Sequence, residues 1–368
     1  MLVGDGWRVL GCRRVTPRRR AGARSVKREL RHASSAPPTL APMRPTSSPL
    51  PPTLPLALAL CLPLSACRST APEVEPFVRD GDEIVVAGEY FEVGAPVVLW
   101  YDPGGYSAYR NGPFFRAEGE GGLRYTPGRR VDDEELLART REEGWTLENL
   151  REAVDQFVIH YDVCGTSQKC FDVLQDQRGL SVHFLLDVDG TIYQTLDLKE
   201  QAWHARQANR RSVGVEIAQI GARTRDDLHV LDAWYPLDEQ GPYLQLPESF
   251  GDGGVRTANF QGRPARPERF EDVVNGVDLV QHDFTPEQYR SLGLLTAALH
   301  RALPRIALDA PRDATGAVSQ DVLSDDEFAA WSGLIGHHHV TSAKTDPGPA
   351  FDWERVLEEA RAALETTP

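Results

Sequence analysis

At 368 residues, 41% of them hydrophobic, the chain is long enough for one large domain or two modest ones with a full core. Its formal charge of −14 is unevenly spread: residues 1–66 hold 11 Lys and Arg and 2 Asp and Glu, which leaves 29 of the 40 basic and 52 of the 54 acidic residues, a net of −23, for the rest. So acidic a body argues against nucleic acid as a partner, because phosphate binding needs clustered lysine and arginine.

Residues 1–42 are arginine-rich and aperiodic, and Met43-Arg44 opens a second, better-formed start, so 1–42 read as an upstream extension. The apolar run from Leu54 to Leu64 is too short and too broken by proline to span a bilayer, which takes about 20 apolar residues. It suits the core of a signal peptide over 43–66. The run ends in Leu64-Ser65-Ala66-Cys67, which is similar to the lipobox of bacterial lipoproteins. That implies a lipidated Cys67 as the mature N-terminus and an exported chain held by a lipid anchor at the cell envelope; the alternative is an ordinary signal peptide cleaved near Ala66. Arg68 gives no sign of inner-membrane retention, which points to the periplasmic face of the outer membrane.

A short tether (67–76) leads into an N-terminal extension, 77–150. Apolar blocks between Glu83 and Trp100 predict two or three strands, Glu134 to Glu143 an exposed helix, and Thr146 the cap of a second helix ending near Gln156. Phe157 to Tyr161 reads as a strand with His160 near its end, and Ser167 to Asp176 as a helix with Cys170, Val173 and Leu174 inward. Asp189-Gly190 marks the turn of a tight hairpin between Leu180 and Leu196. The strand Ser212 to Ala218 alternates, with Val213, Val215 and Ile217 on one face and Gly214, Glu216 and Ala218 on the other. Residues 221–283, rich in glycine, proline and charge, read as a long insertion bordering the site. Thr285-Pro286-Glu287-Gln288 starts a helix that Pro304 stops, and a last amphipathic helix runs from about Trp353 to Leu364. Strands and helices mix without strict alternation, so the fold class is α/β: one domain over 151–366 with a mixed central sheet flanked by helices.

A catalytic zinc needs three protein ligands and an open position. His160, His337 and Asp346 are the candidates; the alternatives are a buried core histidine and a polar loop. Glu216, an acid in an apolar strand with small neighbours that leave room for a ligand, suits a general base, or else a strand-edge salt bridge. Lys344 suits an oxyanion contact, or a solvated loop lysine. Of the five cysteines only Cys164 and Cys170 lie in the body, and in an exported protein they read as one disulfide, with two free thiols as the alternative.

Ile159-His160, Ser181-Val182-His183-Phe184, Asp189 to Gln194, Ala202-Trp203-His204-Ala205, Asn209, Ser212 to Glu216, and Gly336-His337 with Lys344-Thr345-Asp346-Pro347-Gly348-Pro349 occur in one order. In that order they resemble the zinc-dependent N-acetylmuramoyl-L-alanine amidases related to peptidoglycan recognition proteins. The resemblance implies His160, His337 and Asp346 as zinc ligands, Glu216 as acid/base and Lys344 as support for the transition state. Trp203, His204 and Asn209 would line the substrate groove, and Cys164 and Cys170 fall at a short disulfide of the recognition proteins. The substrate would be peptidoglycan or muropeptides, cut between N-acetylmuramic acid and L-alanine. The loop from His337 to Asp346 is a residue shorter than the usual pattern, so His338 or His339 is an alternative ligand. A non-catalytic peptidoglycan-binding module and a zinc hydrolase of another amide are the competing functions.

Overall fold

The computed structural model describes residues 79–366; the upstream extension, the signal peptide, Cys67 and the tether lie outside the described residues. The apolar blocks form the hairpin β1 (Glu83–Val86) and β2 (Glu89–Glu92), then β3 (Val97–Leu99). β4 (Tyr125–Thr126), α1 (Glu134–Glu143) and α2 (Leu147–Ala153) follow. Asp133 and Thr146 cap the two helices by accepting from N–H groups of their first turns. α2 stops short of the expected Gln156 because that residue already pairs in β5 (Gln156–Tyr161). α3 (Ser167–Phe171) continues as a π-helical turn over Asp172–Arg178 and ends at Gly179, φ 63. Cys170 and Leu174 are buried as expected, whereas Val173 is half-buried.

β6 (Phe184–Leu186) and β7 (Ile192–Gln194) form the expected hairpin, but through the five residues 187–191. Asp189 accepts from the Thr191 N–H and only Gly190 takes a positive φ, 82, so no two-residue turn forms. β8 (Gln201–Ala202) and β9 (Ser212–Ile217) come next. The 221–283 insertion is largely structured. It holds α4 (Leu228–Trp234), the short pair β10 (Leu237–Asp238) and β11 (Gly241–Pro242), and a six-residue antiparallel pair, β12 (Arg269–Val274) and β13 (Val277–His282). Asn275 and Gly276, φ 48 and 75, make the two-residue turn of that hairpin. α5 (Pro286–Ala302) has the predicted capping box between Thr285 and Gln288. α6 (Asp325–Ala330), β14 (Gly333–Gly336), α7 (His337–Val340) and α8 (Trp353–Thr366) complete the chain.

Six strands form one mixed sheet in the order β14-β5-β9-β6-β7-β3, parallel throughout except between β6 and β7. Alternation decides which residues meet which layer. Phe157, Ile159, Val213, Val215 and Ile217 share a core with Tyr289, Leu292, Leu295 and Leu299 of α5 and Val356 and Leu357 of α8. Each such side chain, fully buried, stabilises by about 1.5–3 kcal/mol. The intervening residues of the same strands, His160 and Glu216 among them, must then point to the other face.

The extension, from residue 79 on, belongs to this core. β3 forms an edge of the main sheet, and β4 pairs antiparallel with β8. Arg129, 4% exposed, reaches under the segment that follows. It donates to the carbonyls of Leu198 at 2.7 and 2.9 Å and of Ser212 at 2.9 Å. Burial lowers its pKa to about 9 against the opposing pull of Asp197 and Glu200.

Candidate metal centre

The site lies beyond the carboxyl ends of three adjacent parallel strands, β14, β5 and β9, the usual position of ligand sites in α/β sheets. His160 is one residue from the end of β5 and is the register partner of Glu216 on β9. Gly336, last residue of β14, is the partner of Ile159, so His337 emerges at the level of His160. The chain then turns back and brings Asp346 into the same space.

His160 Nδ1 lies 2.8 Å from Asp346 Oδ2 and 3.0 Å from His337 Nδ1, and His337 Nδ1 lies 3.0 Å from Asp346 Oδ2. All three residues are buried. Two nitrogens and one carboxylate oxygen converging at these distances fit a tetrahedral zinc, whose bonds of about 2.0–2.1 Å set ligand separations of about 3.3 Å. Among the described residues this is the only such group of three. The electrostatics agree with the geometry. Burial, then the neighbouring His337, lowers the His160 pKa to about 4, so its imidazole is neutral. Burial alone would raise Asp346, but the two histidines hold it well below the usual carboxylate range. A neutral imidazole and an ionised carboxylate are the forms a metal requires.

His338 and His339 are turned away. His339 Nδ1 accepts from the Gly336 N–H at 2.9 Å, so its proton sits on Nε2, 2.7 Å from the Ser319 carbonyl. His338 Nδ1 lies 3.0 Å from the Asp346 carbonyl and its Nε2 3.2 Å from that of Ser319. Only His337 faces the other two ligand candidates. Gly336 is required by close packing, since a Cβ there would lie 2.5 Å from the His338 ring.

A model of the N-acetylmuramoyl-L-alanine amidase family matches residues 150–349, more than half of the chain. The chain belongs to that family. The amidase-family region is 32% identical over 102 residues to the 1,6-anhydro-N-acetylmuramyl-L-alanine amidase AmpD of Salmonella typhimurium, covering 27% of this chain and 40% of that protein. It is 24% identical over 185 residues to AmpD of Haemophilus influenzae, covering 49% and 59%. The chain thus spans about half the length of these curated relatives. Among solved structures, a selenomethionine derivative of AmpD aligns at 18% identity over 58% of this chain and 86% of that one, with a TM-score of 0.28. The Escherichia coli amidase AmiD, solved with anhydro-N-acetylmuramic acid-L-Ala-D-γ-Glu-L-Lys, aligns at 16% identity over 56% and 57%, with a TM-score of 0.33.

In this amidase-family chain Glu216 is half-buried and makes no hydrogen bond or ion pair with any described residue. The strand-edge salt bridge is therefore absent, and β9 is an interior strand. Burial, then Asp346 and Asp162, pushes the Glu216 carboxyl well above the usual glutamate value, against the pull of Lys344 and Arg178. The room expected beside Gly214 is taken. The His204 ring fills it, and a Cβ at Gly214 would lie 2.5 Å from that ring. Lys344 is half-buried, and its ammonium forms no ion pair with a described residue.

Trp203, His204 and Asn209 form a support beside His160. His204 Nδ1 lies 3.0 Å from His160 Nε2, and its Nε2 lies 3.3 Å from Ser212 Oγ. A partner on the second ring nitrogen is how proteins fix the orientation of a ligating histidine. Asn209 Oδ1 accepts from the N–H groups of His204 and Ala205 at 3.1 and 2.6 Å, and Trp203 Nε1 donates to Thr126 Oγ1 at 3.0 Å.

The expected disulfide is absent. Cys164 and Cys170 are free thiols. Cys170 is buried on α3, and burial, then Cys164, holds its thiol well above the ordinary value. Sequence reasoning also missed Asp162, whose Oδ1 accepts from the N–H groups of Cys164, Gly165 and Gln219 at 2.8–3.0 Å and ties β5 to β9 just past the site. An aspartate two residues after a strand histidine, before a glycine turn, was its only trace.

Proposed function

We propose that the protein is a zinc-dependent hydrolase of the amide between N-acetylmuramic acid and L-alanine in peptidoglycan or its fragments, acting in cell-wall remodelling or recycling. Family membership supports the reaction class. The observation that carries the reading is the pairing of a compact His160, His337, Asp346 trio with Glu216, an unpaired carboxyl of raised pKa beside it.

His160 Nδ1, His337 Nδ1 and Asp346 Oδ2 would hold the zinc, which when bound supplies Lewis acidity toward a carbonyl and an acidified water. Glu216, more basic than an ordinary glutamate, takes the proton of the attacking water and returns it to the leaving nitrogen of L-alanine. The Lys344 ammonium stands by to donate to the oxyanion of the tetrahedral species. His204 keeps the His160 ring in place, and Trp203 and Asn209 shape the groove wall.

Export and a lipid anchor on Cys67 are part of the same reading, on the strength of Leu64-Ser65-Ala66-Cys67 after an apolar run. They would place the enzyme at the cell envelope.

The test is incubation of the protein from Arg68 onward with purified muropeptides, with and without a zinc chelator, and mass spectrometry of the products. Release of stem peptides with a free L-alanine amine, lost on chelation and restored by zinc, is the expected result. Binding of muropeptides without cleavage, despite bound zinc, would replace the enzyme with a recognition module.

A further inference from the structure

The loop from His337 to Asp346 carries two of the three ligand candidates and Lys344, yet past the single turn of α7 it has no regular structure of its own. Part of what holds it comes from the insertion, beside contacts from Tyr161, Gln207, Ser319 and Leu323. Asn275 sits at the tip of the β12–β13 hairpin in the left-handed region, φ 48, which asparagine tolerates better than most residues. Its Nδ2 donates to the His338 carbonyl at 3.0 Å and to the Lys344 carbonyl at 2.8 Å. Its Oδ1 accepts from the Val322 N–H at 2.7 Å, and its own N–H donates to the Gln320 carbonyl at 3.0 Å. One residue therefore ties the residue after His337 to Lys344, two residues before Asp346, and anchors both to the segment 320–322.

Further along β13, Gln281 takes the other end. Its Nε2 donates to the Pro347 carbonyl at 3.1 Å and its Oε1 accepts from the Ala350 N–H at 3.0 Å. A Cβ at Gly348 would run into the Gln281 amide, so the loop lies directly against it. Both contacts go to backbone groups just past the loop. Neither amide hydrogen-bonds a side chain of the three ligand candidates.

We propose that the β12–β13 hairpin is a brace for the metal-holding loop and that Asn275 is its positioning residue, setting His337 and Lys344 relative to His160 without touching substrate. The proposal rests on the zinc-amidase reading of the site. A metal site tolerates displacements of about 0.5 Å before it loosens, and groups that orient its ligands are worth about 10- to 100-fold in metal affinity. Only asparagine meets all the demands of position 275. Glycine accepts the positive φ but supplies neither donor nor acceptor. Aspartate keeps the acceptor for Val322 but turns a carboxylate oxygen on two carbonyls.

The experiment compares Asn275→Gly and Asn275→Asp with the natural protein. Glycine is unstrained at this φ, so that variant removes the side-chain contacts and leaves the turn intact. Zinc affinity is read by competition with a chelator, alongside kcat and KM on a muropeptide and the unfolding midpoint of the zinc-free protein. The expected result is a loss of zinc affinity of about 10- to 100-fold in both variants, with kcat lowered and KM unchanged. A purely structural role would move the midpoint alone: zinc affinity within two-fold of the natural protein in both variants overturns the brace. If the natural protein itself binds no zinc, the reading of the site fails first and the brace falls with it. Natural protein that binds zinc and cleaves, with variants that match it, sinks only the brace.

Discussion

His160 and Glu216 stand opposite each other on adjacent parallel strands, so a ligand candidate and the unpaired carboxyl are fixed on one rigid surface. Their separation is set by strand spacing rather than by a loop. Replacing Glu216 by glutamine keeps the shape and removes the proton acceptor. The expected outcome is a fall in kcat of about 10²- to 10⁴-fold, with zinc content and muropeptide affinity retained. Steady-state kinetics with metal analysis checks it; a variant that loses zinc in proportion to activity would make Glu216 a metal-site residue instead.

The three consecutive histidines separate by what their nitrogens already touch. His337→Ala is expected to abolish zinc binding. His339→Ala is expected to leave zinc stoichiometry intact and to cost about 1–3 kcal/mol of stability, because it strands the buried Gly336 N–H and weakens the tie to Ser319. Metal titration and urea unfolding of the two variants distinguish them, and the reverse pattern would move the ligand to His339.

Arg129 ties the N-terminal extension to the Leu198 and Ser212 carbonyls. Arg129→Met leaves the buried carbonyls of Leu198 and Ser212 without their donor, and the expected loss is on the order of 3 kcal/mol. A chain beginning at residue 151 lacks β3 and Arg129 and is expected not to unfold as a single cooperative unit. Calorimetry of both reads this directly; a native-like transition in the shortened chain would show the extension to be an appendage.

Asp187 gives a pH dependence away from the candidate metal centre. It is fully buried, and its Oδ2 has no partner among the described residues. Burial raises its pKa from 3.8 to about 7. The folded state then keeps a proton that the unfolded state releases, so stability falls as pH rises from about 4 to about 7 and is level above that. Asp187→Asn removes the titration. Its unfolding free energy is expected to match that of the natural protein near pH 4 and to exceed it above pH 7, by roughly 2–4 kcal/mol. Equal midpoints at both ends would mean that Asp187 is charged in the fold.

Much of this was written in local sequence. Alternation in Ser212 to Ala218 put Glu216 opposite the valines, and Thr285-Pro286-Glu287-Gln288 marked the start of α5, because both signals act within a few residues. What escaped was tertiary. Gly333–Gly336 is too short and too glycine-rich to read as a strand, yet its pairing with β5 delivers His337. The β12–β13 hairpin was hidden by acidic residues on its exposed side, although Asn275-Gly276 is a strong turn signal. The choice among the histidines depended on the Ser319 carbonyl, nearly twenty residues away. The cysteines read as a bridge from the expected compartment and the resemblance, and the structure holds them as two free thiols.

The sheet order sets when this centre can exist during the life of the chain. His160 and His337 are 177 positions apart, and His160 and Asp346 are 186 apart. β14, the strand that brings His337 in, lies at the outer edge of the sheet and near the end of the sequence. Contacts so distant along the chain form late, after the loops between them have closed. A partly unfolded chain therefore carries His160, His337 and Asp346 as separate pieces, and the trio comes together only with the finished sheet.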